Sequence, residues 1–449
     1  MVKIFQILLI FITSLLLAAC GGGGGGGGSS GEAVGGGAIP QCSENASYVD
    51  GEYNFMGNGG TYTSTNLYGL GSVCASAAYG RGATGDGQLI AVLDSGISVG
   101  EGTTTDLNQI NSNIATFLTG SDVINSDNVP QDDDNNNNTA LGSGHGSHVA
   151  GLIANEHNNS SFGGHGIAYD ATLHIIKVLD EDGSGSFAQI AAGMDLARGV
   201  SSMDIVNLSL GSSGVIGSTC DSASSCETAL GSTIYTAMEA LGSASIIQVY
   251  AAGNDGNSSP NTLAGAAIYD DDFKETTVIA VAIDSTGNLA SYSDKCGVAK
   301  AICIAAPGSS LYSFFSSNAQ SSYAVDNYAQ SMSGTSQAAP LVSGGLALIK
   351  QEFSSLTNAQ VIDRLLATAL DTGEYSKSTI YGHGLMNLNG ATAAVAKLQT
   401  INGSNLLDDP NTSYYDLAHN SFLSSAAFSN ALNNALAGQT MEVYDSFDR

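Results

Sequence analysis

The chain reads as an α/β protein, a mostly parallel sheet with helices on both faces. Three features point there. From residue 89 onward, apolar runs of strand length alternate with segments of helical period. Strands separated by helices pair in parallel, because each crossover brings the chain back in the same direction. The residues best suited to chemistry fall where such strands end and such helices begin, which is where open α/β sheets build their sites.

The first strand is predicted over 89–93, an apolar run closed by Asp94 and a Ser-Gly turn. A helix is predicted over 146–155, directly after His145, where small residues allow close backbone approach. Apolar runs predict further strands over 172–178, 204–210, 246–251 and 277–283. Helical period predicts helices over 187–198 and 227–241 between them. A long helix is predicted over 336–353, rich in small residues at its start. Segments 357–369 and 390–398 read as closing helices.

Three of these junctions carry reactive residue types. Asp94 ends a buried strand, where a carboxylate is poorly solvated and needs a hydrogen-bonding partner. His145 opens the stretch His145-Gly146-Ser147-His148-Val149-Ala150-Gly151. Ser336 lies in Ser333-Gly334-Thr335-Ser336-Gln337-Ala338-Ala339-Pro340, a turn that leads at once into a helix. A helix N-terminus offers unpaired N–H groups and partial positive charge, so a serine there can face a developing oxyanion. It becomes a nucleophile when a base and an orienting acid stand near it.

On these motifs the chain resembles the subtilisin-like serine proteases, the subtilase family (peptidase family S8). The chain order Asp, His, Ser is that of subtilisin and differs from the other known triad orders. Ser147 stands where the family usually has threonine, another hydroxyl. Ala251-Ala252-Gly253-Asn254 resembles the family's oxyanion-hole motif, with Asn254 as side-chain donor. Asn207-Leu208-Ser209-Leu210-Gly211 resembles the strand bordering the substrate cleft. The resemblance runs from about Ala75 to about Ala396. It implies a subtilisin-like fold and a serine endopeptidase acting on proteins or peptides. Asp94, His145 and Ser336 are its implied catalytic residues. Ser209, Leu210, Gly211, Ala251, Ala252 and Gly253 are its implied cleft.

The same residues admit rival readings. His145 and His148, three apart on a helix, could share a metal, but the chain has no His-Glu-x-x-His and no nearby cysteine or carboxylate at ligand spacing. A lipase or esterase would carry Gly-x-Ser-x-Gly, and Ala338 stands where its second glycine belongs. A catalytically silent surface passenger or adhesin on the same fold is the alternative function, and the full set of triad residues plus Asn254 argues against it. The chemistry needs no cofactor. The oxygen-rich run Asp132-Asp133-Asp134-Asn135-Asn136-Asn137-Asn138 leaves room for a structural calcium ion, yet its spacing fits no fixed loop, so no metal ligand is assigned.

The net charge is −29, from 12 basic and 41 acidic residues, which disfavours a nucleic-acid partner. Residues 1–19 form an export signal: Lys3, then an apolar segment shorter than the ~20 residues a spanning helix needs. Leu17-Ala18-Ala19-Cys20 resembles a bacterial lipobox with Cys20 lipidated, against the plainer reading of an ordinary signal peptide. Gly21 is not the aspartate of inner-membrane retention, so an outer-membrane anchor is expected. Residues 20–41 make a glycine-rich tether with an r.m.s. reach of roughly 25 Å. The catalytic domain is expected over 42–399.

Setting Cys20 aside leaves Cys42, Cys74, Cys220, Cys226, Cys296 and Cys303. An even remainder in an exported chain suggests disulfides, and six cysteines allow about fifteen pairings. Local spacing favours Cys220 with Cys226 and Cys296 with Cys303, leaving Cys42 with Cys74. The entry to the Asp94 strand and residues 400–449 resemble autotransporter subtilases, where a linker joins protease to translocator. No run of alternating ~10-residue strands follows, so a translocator barrel missing from this chain is one expectation. A lipid-anchored surface protein, released after self-processing, is the address these features suggest.

Overall fold

The computed structural model describes residues 68–97, 113–132, 144–156, 165–180, 182–314, 329–393, 397–400 and 441–444. The expected signal and tether, Cys20, Cys42, residues 133–138 and most of 400–449 lie outside them.

Six strands form one parallel sheet: β1 (Leu89–Asp94), β2 (Thr172–Lys177), β3 (Ile205–Leu208), β4 (Ile247–Ala251), β5 (Thr277–Ile283) and β6 (Cys303–Pro307). Their spatial order is β2-β1-β3-β4-β5-β6. The chain steps outward from β1 to β2, then returns to β3 on the other side of β1. The order therefore reverses between β1 and β3, which opens a crevice at the C-terminal ends of those strands. Register sets Asp94 opposite Lys177, and Val92 opposite Asn207.

Alternation within the strands feeds two cores. In β5, Val278, Ala280 and Ala282 enter one core, and Ile279, Val281 and Ile283 enter the other. Every residue of β5 is buried, as expected for a parallel sheet covered on both sides. The helices of eight residues or more are α1 (His145–Ala154), α2 (Phe187–Arg198), α3 (Ala223–Leu230), α4 (Ser232–Ser243), α5 (Thr335–Glu352) and α6 (Asn358–Ala367). Residues of α1, α5 and α6 line the first core; residues of α2, α3 and α4 line the second. The α/β arrangement with helices on both faces is present.

Two expectations are corrected. The helix expected over 227–241 is two helices, broken at Gly231, whose φ of 90° leaves the helical region. The closing helix expected over 390–398 is a short helix, Leu388–Thr392, and residues Lys397–Thr400 form β9, antiparallel to β10 (Met441–Tyr444). Two further strands, β7 (Leu311–Phe314) and β8 (Ala329–Met332), pair antiparallel and were not foreseen. Nor was β6, an edge strand short enough to end in proline. Disulfides join Cys220 to Cys226 and Cys296 to Cys303. Cys74 is also disulfide-bonded, and its partner lies outside the described residues.

Candidate active site

Asp94 closes β1 and is wholly buried. One oxygen, Oδ1, accepts two hydrogen bonds: from the Ser95 backbone N–H at 2.7 Å and from Nδ1 of His145 at 2.7 Å. A carboxylate only accepts, so the imidazole proton sits on Nδ1 and Nε2 is left as the acceptor. His145 is the first residue of α1. Close packing puts it there: a Cβ on Gly146 would lie 2.2 Å from the Gly96 carbonyl, so only glycine lets α1 start against the turn after Asp94. Burial acts to lower the His145 pKa, but the charge and hydrogen bond of Asp94, with the charge of Asp132, outweigh it and hold the imidazole above 6.5.

Beneath this pair lies a buried polar layer that the sequence did not reveal. The Ser147 hydroxyl, which stands in the threonine position, donates to Asp132 Oδ2 at 2.9 Å. Ser95 Oγ accepts the Gly146 N–H at 2.9 Å, and Lys177 Nζ donates to the Ser95 carbonyl at 2.7 Å. Burial pushes the Asp132 carboxyl up to about 6, with a small push from Asp94, against bonds from Ser147 and Ser95 and the charge of Lys177. Asp132 thus turns inward, and the rest of the oxygen-rich run, residues 133–138, lies outside the described residues.

This layer makes a stability prediction. Unfolded, Asp132 titrates near 3.8; folded, near 6. The folded chain binds the extra proton between those values, so this contribution is full below 3.8 and fades as pH rises through about 6. The gap corresponds to roughly 3 kcal/mol. In a Ser336→Ala background, which prevents self-digestion, Asp132→Asn should flatten the fall of Tm between about pH 4 and pH 7. Parallel Tm curves for the two proteins would contradict the assignment.

Ser336 is half-buried in the first turn of α5. Its hydroxyl donates to the Ser209 carbonyl at 3.1 Å. In return, the Ser209 hydroxyl donates to the Ser336 carbonyl at 2.9 Å. That carbonyl is free because Pro340, four residues on inside α5, has no N–H to offer it. The link runs on inward: Asn207 Nδ2 donates to Ser209 Oγ, and the Ser343 hydroxyl donates to Asn207 Oδ1.

Asn254 follows β4 and is exposed. Its Oδ1 accepts the Thr335 N–H at 2.8 Å and the Thr335 hydroxyl at 3.0 Å. A backbone N–H can only donate, so the amide orientation is fixed and Nδ2 is the free end. Nδ2 of Asn254 and the backbone nitrogen of Ser336 each lie 3.5 Å from the point a Cβ on Gly334 would occupy. These two N–H donors and, nearer at 2.8 Å, the side-chain oxygen of Gln337 surround that point at the start of α5.

Of the six expected cleft residues, Ser209, Leu210 and Gly211 follow β3, Ala251 ends β4, and Ala252 and Gly253 follow it. Ser209, Leu210, Ala251 and Ala252 are buried, Gly253 is half-buried and Gly211 is exposed. Asn261, missed in the sequence, ties the two segments together. Its Nδ2 donates to the carbonyls of Ala251 and Ala252 at 2.9 Å each, and its Oδ1 accepts the Ser212 N–H at 3.3 Å. Among the described residues, one group of carboxylates has metal-ligand spacing: Glu239, Asp270 and Asp272, on and beside α4. It belongs to a different part of the chain from the triad residues, and Asp270 already accepts the Tyr235 hydroxyl at 2.7 Å.

Comparison with known proteins accords with this geometry. Residues 85–384 match the subtilase family, Peptidase S8. The chain is 35% identical over 325 residues to subtilisin Savinase of Lederbergia lenta, covering 72% of this chain and 98% of that protein. It is 34% identical over 326 residues to subtilisin DY of Bacillus licheniformis, covering 72% and 97%. It is 34% identical over 331 residues to subtilisin E of Bacillus subtilis (strain 168), covering 74% and 72%.

Proposed function

We propose, because this chain belongs to the subtilase family and is a serine endopeptidase, that Asp94, His145 and Ser336 carry its chemistry. Ser336 Oγ attacks the scissile carbonyl carbon, and His145 Nε2 takes the hydroxyl proton. The carbonyl oxygen becomes an oxyanion between Asn254 Nδ2 and the Ser336 N–H. His145 then gives its proton to the leaving amine as the C–N bond breaks, leaving an acyl-enzyme. Water, activated by the same imidazole, releases the acid and restores Ser336. Asp94 holds the Nδ1 tautomer and stabilises the imidazolium. The observation that carries this reading is the 2.7 Å bond from His145 Nδ1 to a wholly buried carboxylate. The resting Ser336 hydroxyl must turn from the Ser209 carbonyl toward His145 for the first step.

Labelling with a fluorophosphonate tests the assignment. The chain should label, and Ser336→Ala should not. A folded wild type that stays unlabelled would favour the silent-passenger alternative.

The same reading extends to where the enzyme works. The N-terminal signal, Cys20 and the glycine tether support an exported enzyme anchored by lipid at the outer membrane. They support kinship with the autotransporter-type lipoprotein subtilases, with self-cleavage freeing the protease. Release from membranes should then require Ser336: the wild type should reach the medium and Ser336→Ala should stay bound. Equal release of both would count against self-processing, and Cys20→Ala should abolish incorporation of labelled fatty acid.

A further inference from the structure

The loop carrying Asn254 is wound around one buried carboxylate that the proposed chemistry leaves unused. Asp294 is wholly buried. Its Oδ1 accepts the backbone N–H of Asn257 at 2.6 Å and of Asp255 at 3.2 Å, and its Oδ2 accepts the Asn257 side-chain amide at 3.3 Å. Its own N–H donates to the Gly253 carbonyl at 2.9 Å. The flanking backbone adds two more ties, Gly256 N–H to the Tyr292 carbonyl and Lys295 N–H to the Asn257 carbonyl. Gly253 completes the fit. Its φ is +122°, and a Cβ there would lie 2.2 Å from Asp294 Oδ2, so the loop closes on the carboxylate only with glycine at that position.

These bonds fix the backbone on both sides of Asn254, at Gly253 and at Asp255. Thr335 fixes the amide end of the same side chain. An oxyanion donor acts through preorganisation, because it must not reorient as charge develops. Burial raises the Asp294 pKa, while the bonds from Asn257 and Asp255 pull it back; they compensate the buried charge.

We propose that Asp294 is a positioning residue for the oxyanion donor, holding the turn from Gly253 to Asn257 so that the Asn254 amide is preset for the transition state. This rests on the reading of Asn254 as that donor.

The test is a double-mutant cycle in the full chain, with kcat and KM measured on a peptide p-nitroanilide that the wild type cleaves. Asp294→Asn keeps the size but removes the charge, and with its oxygen on the two backbone N–H groups it turns an NH2 toward the Asn257 side-chain amide. It should lower kcat about 10- to 100-fold, the scale of an ångström of misplacement, and leave KM within about threefold. In an Asn254→Ala background the same change should cost less than about threefold, because no donor remains to be positioned. An equal loss in both backgrounds, or no loss of kcat in either, overturns the proposal while leaving the oxyanion reading intact. An unchanged kcat in Asn254→Ala alone overturns the oxyanion reading and this proposal with it. If Asp294→Asn does not fold, Asn257→Ala carries the test, since it removes one donor and keeps the backbone bonds. A loss of about three- to tenfold that vanishes without Asn254 supports the proposal; equal effects in both backgrounds, including none, overturn it.

Discussion

Replacing Ser336 by alanine should lower kcat by about six orders of magnitude, the figure known for subtilisin, a relative of this chain. The loss is that large because nothing else in the first turn of α5 can take over the attack. Thr335, one residue earlier, is wholly buried, with its hydroxyl donated to Asn254. The fold should survive, since Ser336 is only half-buried and its backbone carbonyl keeps the bond from the Ser209 hydroxyl. The informative comparison is with His145→Ala and with the double variant. Nucleophile and base act as one unit, so each single change should cost about as much as both together. Losses that multiply in the double variant would mean the two residues do not share a step. Unchanged Tm across the set would place the effect in catalysis.

Asp94→Asn should be the next largest, about a 10⁴-fold loss in kcat. Here one carboxylate oxygen accepts both the Ser95 N–H and the His145 Nδ1–H. An asparagine removes the charge in either amide orientation, and with its NH2 toward His145 it also imposes the wrong tautomer, the known cause of a loss on this scale. The pH profile separates the two effects. Activity needs neutral His145 as base, so the acid limb of kcat/KM follows its pKa, which Asp94 and Asp132 hold above 6.5 against burial. Without the Asp94 charge, burial is opposed mainly by Asp132, and the limb should move to lower pH. A limb that stays in place, or moves up, would show that Asp94 does not set the basicity of His145.

The proposed triad residues and Asn254 stand out in the sequence because each lies in a short local signature at a strand end or helix start. Their supports were not. Asp132, Asn261 and Asp294 are polar loop residues with no signature of their own role, and their partners come together only through folding: Ser147 for Asp132, the two cleft segments for Asn261, the Asn254 turn for Asp294. No period or spacing in the chain announces such a contact. The strands and helices of the sheet followed hydrophobic pattern well. Pattern failed where one glycine decided, as at Gly231 between α3 and α4, and it passed over β6 and the β7–β8 pair, which are no shorter than the predicted β3.

The order of the site along the chain has a consequence for timing. Asp94 and His145 both precede β2, whereas Ser336 arrives only with α5, a helix that packs across β3, β4, β5 and β6. The sheet must therefore exist before the nucleophile has anywhere to dock. Contacts between such distant segments form late and slowly. A growing chain that has reached residue 330 holds its acid and base but cannot cut anything. With Ser336 as nucleophile, the site is completed only when about the last fifth of the expected catalytic region, from Thr335 onward, has folded.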